Sequence, residues 1–208
     1  MEETKRARGP YKTGQKRRAK ILQEAVEVFG TYGYSAGSLQ EIAQRAGITP
    51  GAIMRHFENK AELLVEVLRH WDDAQRIDEK RHVGLAYFRS LRDVTANNVA
   101  HRGFMNLYLT LSIEASREDH PAHPFVAERY GRTMEVFTRH LREAIEGGEV
   151  AEMDDATVEY ESHLLIAVLD GFALQWMIDD RVDLLAMITT YVDAMIARWK
   201  AGETYRQG

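Results

Sequence analysis

The placement of proline limits most strongly the folds that this chain of 208 residues can adopt. The prolines are Pro10, Pro50, Pro121 and Pro124. The long stretches 51–120 and 125–208 therefore contain none. Because proline breaks helix interiors and few segments alternate as strands do, these stretches are typical of helices. The sequence predicts an all-α fold.

Composition excludes several classes of protein. The chain is 45% hydrophobic and 28% charged, which is ordinary for a folded globular protein. The absence of cysteine excludes disulfides, thiolate zinc sites and cysteine nucleophiles. No apolar run approaches the roughly 18 residues of a membrane helix, and the charged segment 1–15 lacks the apolar core of a signal peptide. We therefore expect a cytoplasmic protein with no membrane partner.

The net charge of −5 conceals a division between the two ends of the chain. Residues 1–60 contain 11 Lys and Arg against 6 Asp and Glu, a balance of +5. Residues 61–208 contain 16 against 26, a balance of −10. A basic N-terminal part on an acidic protein indicates that this part contacts a polyanion.

Spacing and capping signals divide the chain into four parts. Segment 1–15 is interpreted as a flexible basic arm that either only aids solubility or touches the polyanion. Segment 16–58 carries three helical patterns, and segment 59–82 is predicted to be one connecting helix. Segment 83–208 is predicted to hold helices at about 84–98, 102–117, 125–146, 155–178 and 182–200, with Asp180 capping the last.

Residues 38–57 have the spacing of a helix-turn-helix unit. Ser38 and Glu41 form a Ser-x-x-Glu capping box at the start of one short helix. Gly47 permits the turn, and Thr49, followed by proline, caps the next helix. Such a unit cannot bury its apolar face alone, so the preceding helix is expected to complete a three-helix bundle.

Residues 17–68 resemble the DNA-binding domain of the TetR family of bacterial transcriptional regulators. The matching residues are Ile21, Leu22, Ala25, Phe29, Gly33, Tyr34, Ile42, Ala43, Ala46, Gly47, Gly51, His56, Phe57, Lys60, Leu63 and Leu64. One position departs, since family members usually carry a tyrosine that reaches a phosphate where this chain has Met54. Methionine donates no strong hydrogen bond, which leaves Met54 to contact a thymine methyl group or a sugar.

The resemblance implies that the second helix of the unit enters the major groove of DNA. Arg55 is expected to read a base, because guanidinium pairs bidentately with guanine. The small Gly51 and Ala52 would allow close approach, while the other polar residues would hold phosphates. The expected DNA-contacting residues are Lys16, Arg17, Arg18, Ser38, Gln40, Thr49, Pro50, Gly51, Ala52, Met54, Arg55, His56 and Lys60.

The resemblance also implies that residues 83–208 bind a small effector and form a dimer. Each of the last two predicted helices carries two apolar stripes, whereas one would suffice to cover a core. We therefore expect a symmetric four-helix interface built from 158–178 and 184–199 of both chains. The expected interface residues are Leu164, Val168, Gly171, Gln175, Leu184, Ile188, Tyr191 and Met195. The local pattern Leu169-Asp170-Gly171-Phe172 resembles a subset of these regulators.

Aromatic and methionine residues of the same region are candidates for an effector pocket. They are Tyr87, His101, Phe104, Met105, Tyr108, Tyr130, Met134, Phe137, His163 and Trp176, within a wider group that includes Phe88 and Phe125. No cofactor or metal site is expected, because His120 and His123 lie beside prolines without a suitably spaced carboxylate cluster.

The function expected from these patterns is a dimeric regulator that binds double-stranded DNA. We expect a repressor released from a palindromic operator by a small apolar or aromatic effector. An activator of the same fold is one alternative. A small helical ligand-binding protein or enzyme is another, although no set of nucleophile, base and orienting residue is present.

Overall fold

The computed structural model describes residues 10–74, 77 and 81–205, and over these residues the protein has nine α-helices and no strand. The helices are α1 (Pro10–Ala36), α2 (Leu39–Ala46), α3 (Pro50–Ile53), α4 (Lys60–Ala74), α5 (Leu85–Ala100), α6 (Arg102–Glu114), α7 (His123–Glu146), α8 (Asp155–Ile178) and α9 (Leu184–Lys200). The expectation of an all-α fold is confirmed.

The first three helices and the start of α4 surround a small apolar core. Ile21 and Phe29 of α1, Ile42 of α2 and Ile53 of α3 are each at most 1% exposed. Phe57 closes this core from the turn that follows α3. The helix-turn-helix unit is thus held by α1 from behind, as the sequence predicts.

Two helix boundaries differ from the sequence predictions. Helix α1 already begins at Pro10, so 10–15 is helical rather than a flexible arm, and residues 1–9 lie outside the described residues. Proline suits the first position of a helix, where an N–H would have no partner. The described part of α4 ends at Ala74 and residue 77 is not helical, so α4 does not run unbroken to the predicted 82.

The caps of the last helices show which acidic residue begins each one. Asp154 accepts a hydrogen bond from the N–H of Thr157 at 2.7 Å and begins α8. Asp183, and not the predicted Asp180, accepts from the N–H of Ala186 at 3.0 Å and begins α9. Asp180 instead pairs with Arg102 of α6 at 2.8 Å.

Helix α6 packs against α1 and joins the two halves of the chain. A Cβ built on Gly30 of α1 would lie only 2.5 Å from the carbonyl oxygen of Gly103 in α6. Asn106 of α6 donates a hydrogen bond to the carbonyl oxygen of Gly30. The backbones of α1 and α6 therefore meet without a side chain between them.

Helices α5 to α9 build the second part of the molecule. α5 packs on α9, and α7 lies beside α8. Within the described ranges of the chain, no helix has the length and apolar character that crossing a membrane requires.

Candidate nucleic-acid interface and internal cavity

The helix-turn-helix unit is shaped by two side-chain caps and one glycine. Ser38 Oγ accepts a hydrogen bond from the N–H of Glu41 at 3.1 Å, and Thr49 Oγ1 accepts from the N–H of Ala52 at 3.2 Å. Gly47 adopts φ 70° and ψ 36°, the left-handed region that glycine reaches without strain. Because both hydroxyl oxygens accept from the backbone, each O–H can still donate to a phosphate.

The second helix of the unit is shorter than its pattern predicts. α3 ends at Ile53, and Met54, Arg55 and His56 follow in a tight turn rather than in helix. Two hydrogen bonds hold this turn, from the N–H of His56 at 2.8 Å and from that of Phe57 at 3.1 Å to the carbonyl oxygen of Ile53. The burial of Phe57 beside α1 thus fixes where the preceding turn presents its polar side chains.

Most of the residues expected to contact DNA lie together on the surface of this unit. Ser38, Gln40, Thr49, Pro50, Gly51, Met54 and Arg55 are exposed, and Ala52 and His56 are half-buried. A Cβ built on Gly51 would meet no atom within 4 Å, so the start of α3 faces open space. Arg55 has no ion-pair partner among the described residues, which leaves its guanidinium available.

Two of the predicted phosphate-binding cations are engaged within the protein. Arg18 of α1 forms an ion pair with Glu66 of α4 and lies 5.1 Å from the ring centre of Phe57. The Lys60 ammonium donates to the carbonyl oxygen of Ser35 at 3.1 Å and lies 4.6 Å from the Tyr34 ring. Burial also lowers the pKa of Lys60. These contacts correct the expectation of free cations, whereas Lys16 and Arg17 are exposed on α1.

A cavity of about 420 Å³ lies between α4 and the helices of the second half. Six of the ten predicted pocket residues line it, namely Tyr87, Phe104, Met105, Tyr108, Tyr130 and Phe137. Phe125 of the wider predicted group also lines it. The cavity has a mostly apolar wall of aliphatic and aromatic side chains from α4 to α9, which is typical of small-molecule sites.

Four predicted pocket residues lie elsewhere. His101 is exposed and its Nδ1 lies 2.8 Å from the carbonyl oxygen of Asn97. His163 is exposed on α8, and Met134 packs half-buried against the core. Trp176 is buried beneath the Arg102 guanidinium, 4.6 Å from its ring centre. Residue type alone did not separate these side chains from those that face the cavity.

Trp71 of α4 lines the cavity, although the sequence analysis did not select it. Its ring stacks on Phe104 of α6 with the centres 4.1 Å apart and an angle of 19° between the planes. The edge of His101 also meets it at 4.8 Å. The wall of the cavity therefore includes a direct contact between α4, which follows the helix-turn-helix unit, and α6, which packs on α1.

A polar cluster interrupts the apolar wall. Asp72 of α4 accepts from Arg129 Nε at 3.0 Å and from Arg132 Nη2 at 2.6 Å, both of α7. Arg129 also donates to the hydroxyl of Tyr108. On the neighbouring helix α8, Asp170 accepts from the Tyr130 hydroxyl at 2.6 Å. Sequence reasoning missed Asp72 and Arg129, because their pairing joins positions 57 residues apart.

Two family models match the chain. The model of the tetR family of bacterial regulatory proteins matches residues 21–67, and that of the C-terminal part of BetI-type transcriptional repressors matches residues 88–197, which is more than half of the chain. The chain belongs to the TetR family. It is a DNA-binding transcriptional regulator of that family, and the family named from the sequence is confirmed.

Known TetR relatives and structures cover nearly the whole chain. The Bacillus subtilis fatty acid metabolism regulator protein is 22% identical over 181 residues, 85% of this chain and 92% of its own. A crystal structure of FadR from that organism with stearoyl-CoA has a TM-score of 0.69 at 22% identity, covering 86% of this chain and 97% of that one. A regulator from Saccharomonospora viridis with choline has a TM-score of 0.73 at 19% identity, covering 88% and 96%. At these identities the two structures show the fold alone.

The predicted interface residues of α8 and those of α9 differ in how exposed they are within the subunit. On α8, Leu164, Val168 and Gly171 are half-buried and Gln175 is exposed. The predicted α9 residues Leu184, Ile188 and Met195 are only 2%, 4% and 2% exposed within the subunit. They are core residues, which corrects their assignment to an interface, because this face of α9 covers α5 and the cavity. Tyr191 is half-buried with its ring edge against Phe172 at 6.1 Å.

An apolar stripe remains uncovered on α8. Ile178 is 78% exposed, Tyr160 46% and Leu174 44%. Together with Leu164, Ala167, Val168, Gly171 and Gln175, they follow a spacing of three and four residues along one helix face. The predicted interface range 158–178 spans this stripe, but the residues named within it, Leu164, Val168, Gly171 and Gln175, do not include Tyr160, Leu174 or Ile178.

Proposed function

We propose that this TetR regulator is a dimeric repressor whose affinity for a palindromic operator falls when a small molecule enters the cavity. The observation that carries the proposal is the position of Trp71. It belongs to α4, the helix that begins directly after the helix-turn-helix unit, and it forms part of the cavity wall. A ligand in the cavity would therefore touch the element that positions the DNA-reading face.

The DNA-reading face would divide its work between base and phosphate contacts. Arg55 is exposed and without an ion-pair partner among the described residues, which suits a bidentate contact with guanine. The hydroxyls of Ser38 and Thr49, with Lys16 and Arg17 on α1, would hold phosphates on either side. Met54 is 45% exposed and would contribute an apolar contact.

The uncovered stripe on α8 supports the dimer. An exposed apolar face at helical spacing has to be covered by another surface, and a second copy of the same helix fits it by symmetry. The outer face of α9, which includes Met187, Thr190, Ala194 and Ala197, would complete a four-helix interface, because α9 packs against α8. Such a dimer presents two reading faces, which matches an operator with twofold symmetry.

Coupling between cavity and DNA would pass through α4 and α6. A ligand that separates Trp71 from Phe104 would change how α4 lies on α6, and α6 contacts α1 through the backbone at Gly30. A ligand shifts such an equilibrium only if it binds the two arrangements with different affinity. The proposed effector therefore favours the arrangement in which the two reading faces no longer match the operator.

Selection of bound DNA from a random pool, using the full-length protein, tests the proposal. We expect a palindrome with half-sites about one helical turn, or about 10.5 base pairs, apart. Inserting about 5 base pairs between the half-sites turns one of them to the opposite side of the duplex and should abolish tight binding. Recovery of a single asymmetric site that tolerates this insertion would contradict the dimeric reading.

A titration with salt separates operator binding from nonspecific adhesion. The logarithm of the affinity should fall linearly with the logarithm of salt concentration, by about 0.9 per phosphate contact. The position of the recovered operator relative to its promoter then distinguishes a repressor from an activator.

A further inference from the structure

The charged groups in the cavity wall differ in how well they are compensated. Arg129 and Arg132 share Asp72, at 3.0 Å and 2.6 Å, and Arg132 also pairs with Glu128 at 2.8 Å. Arg129 further donates to the hydroxyl of Tyr108. Both guanidiniums are therefore already satisfied by acceptors of the protein.

Of the three carboxylates that line the cavity, Asp72 is paired with arginines and Glu135 is exposed, whereas Asp170 is half-buried and its charge is poorly balanced by the protein. One oxygen accepts from the Tyr130 hydroxyl at 2.6 Å. Among the described residues, no Lys, Arg or His nitrogen lies within 4.0 Å of it. Burial raises the pKa of Asp170 by more than the Tyr130 hydrogen bond and the charge of Arg129 lower it. An ionised carboxylate in this position gains from any cation brought beside it.

Aromatic side chains share the wall of the same cavity with this carboxylate, among aliphatic and polar ones. Trp71 comes from α4, Phe104 from α6, Phe125 and Phe137 from α7, and all four line the cavity with Asp170. Ring faces attract organic cations, and the attraction is stronger where water is excluded. A cavity of about 420 Å³ lies within the roughly 300–1,000 Å³ of small-molecule sites.

We propose that the cavity takes an organic cation, with its ammonium or amidinium group beside Asp170 and its apolar body along the aromatic wall. The inference rests on the proposed function, because it names the chemical class of effector for the same cavity. An organic anion is disfavoured, because it would have to displace Asp72 from the two arginines that it already pairs.

Three probes with one octyl chain test the charge preference in the absence of DNA. They are octyltrimethylammonium, octan-1-ol and octanoate, each titrated calorimetrically into the full-length protein. We expect octyltrimethylammonium to bind about tenfold or more tightly than octan-1-ol, as for a contact with a buried charged group. Octanoate should bind no more tightly than octan-1-ol.

Two variants assign the preference to the carboxylate. Asp170→Asn keeps the shape of the side chain and should lower octyltrimethylammonium affinity by about tenfold while changing octan-1-ol affinity by less than about threefold. Tyr130→Phe removes the hydrogen bond but keeps the charge, so the preference for the cation should survive. Glu146→Gln, an exposed position at the end of α7, is the matched control and should change neither affinity.

Several outcomes would overturn the inference. They are a wild-type preference for octanoate, a cation preference that Asp170→Asn leaves intact, and failure of the cation to bind. A separate titration of labelled operator keeps the two proposals apart. If octan-1-ol enters the cavity and releases DNA while the cation does neither, the cation inference fails and the proposed function stands. If the cation binds at Asp170 without changing operator affinity, the ligand class stands and the proposed switch fails.

Discussion

The DNA-reading face and the cavity wall place their polar side chains in opposite ways. In the reading face, most polar residues come from the short continuous segment 38–56, joined by Lys16 and Arg17 of α1, and they are mostly exposed. In the cavity wall, they come from four different helices and bond to one another, as Arg129 does to Asp72 across 57 positions and Tyr130 to Asp170 across 40. The polar groups of the reading face are available to an external partner, whereas those of the cavity wall are largely hydrogen-bonded to one another in the absence of a ligand. Changes in the two regions should therefore have separable effects.

The largest difference between the effect on operator affinity and the effect on ligand affinity is expected from a charge placed in the uncovered apolar stripe of α8. Ile178→Glu should leave the subunit folded, because the side chain is 78% exposed there, but it would bury two carboxylates in a symmetric interface. We expect a monomer whose operator affinity falls by about 100-fold or more, while ligand affinity in the cavity is unchanged. Sedimentation analysis and operator titration measure the two effects.

The control for this change is Ile113→Glu, at a 66% exposed position of α6 outside the stripe. It should leave both the dimer and operator binding intact. A dimer that survives Ile178→Glu would place the interface on another surface and remove the symmetry argument for a palindrome.

A smaller effect, confined to the reading face, is expected from Arg55→Ala. Loss of a bidentate base contact should cost about 1–3 kcal/mol of operator affinity and relax the preference at one base position. The matched control is Arg181→Ala, whose side chain is 90% exposed in the loop between α8 and α9. Equal weakening on all DNA sequences would assign Arg55 to a phosphate instead of a base.

In the cavity, Asp170→Asn is expected to raise the free energy of unfolding of the ligand-free protein. Burial raises the pKa of this carboxyl in the folded state, so its ionised form opposes folding at neutral pH. The cost disappears as the pH falls through the folded-state pKa and below the unfolded one. The gain from Asp170→Asn should therefore be greatest at neutral pH and shrink on acidification, as urea unfolding at several pH values would reveal. If Asp170→Asn raised the free energy of unfolding equally at all pH values, the raised pKa of Asp170 would not be the cause.

The smallest effect is expected where the two regions meet, at the ion pair of Arg18 and Glu66. Their side chains are 40% and 22% exposed, so solvent screens the pair and Arg18→Ala should cost about 0.2–1 kcal/mol of stability. Because Arg18 is engaged with α4, operator affinity should change little compared with Lys16→Ala, measured in the same titration. A loss equal to that of Lys16→Ala would return Arg18 to the DNA-contacting group.

Features that depend on neighbouring residues were predictable from the sequence. The caps by Ser38 and Thr49 and the turn at Gly47 each involve partners within four positions, and all three are present. Features that depend on distant residues were not. Nothing near Lys60 indicates that its ammonium binds the carbonyl oxygen of Ser35, which lies 25 positions away.

The same limit explains the errors on the last helix. Both apolar stripes of α9 are internal, because Val192, Ile196 and Trp199 of the second stripe are also at most 5% exposed. The predicted interface stripe, with Leu184 and Ile188 in the cavity wall, therefore lies inside the subunit. On α8, the uncovered stripe also includes Tyr160, Leu174 and Ile178, which are absent from the predicted interface residues.

The meeting of α1 and α6 at Gly30 and Gly103 makes the joint between the two regions mechanically stiff. Side chains at a helix crossing can absorb a small displacement by changing rotamer, but two touching backbones have no such freedom. A shift of α6 by a fraction of an ångström would therefore be passed to α1 almost undiminished. A small displacement at the cavity would therefore be enough to move the DNA-binding helices, because the contact between α1 and α6 would absorb little of it.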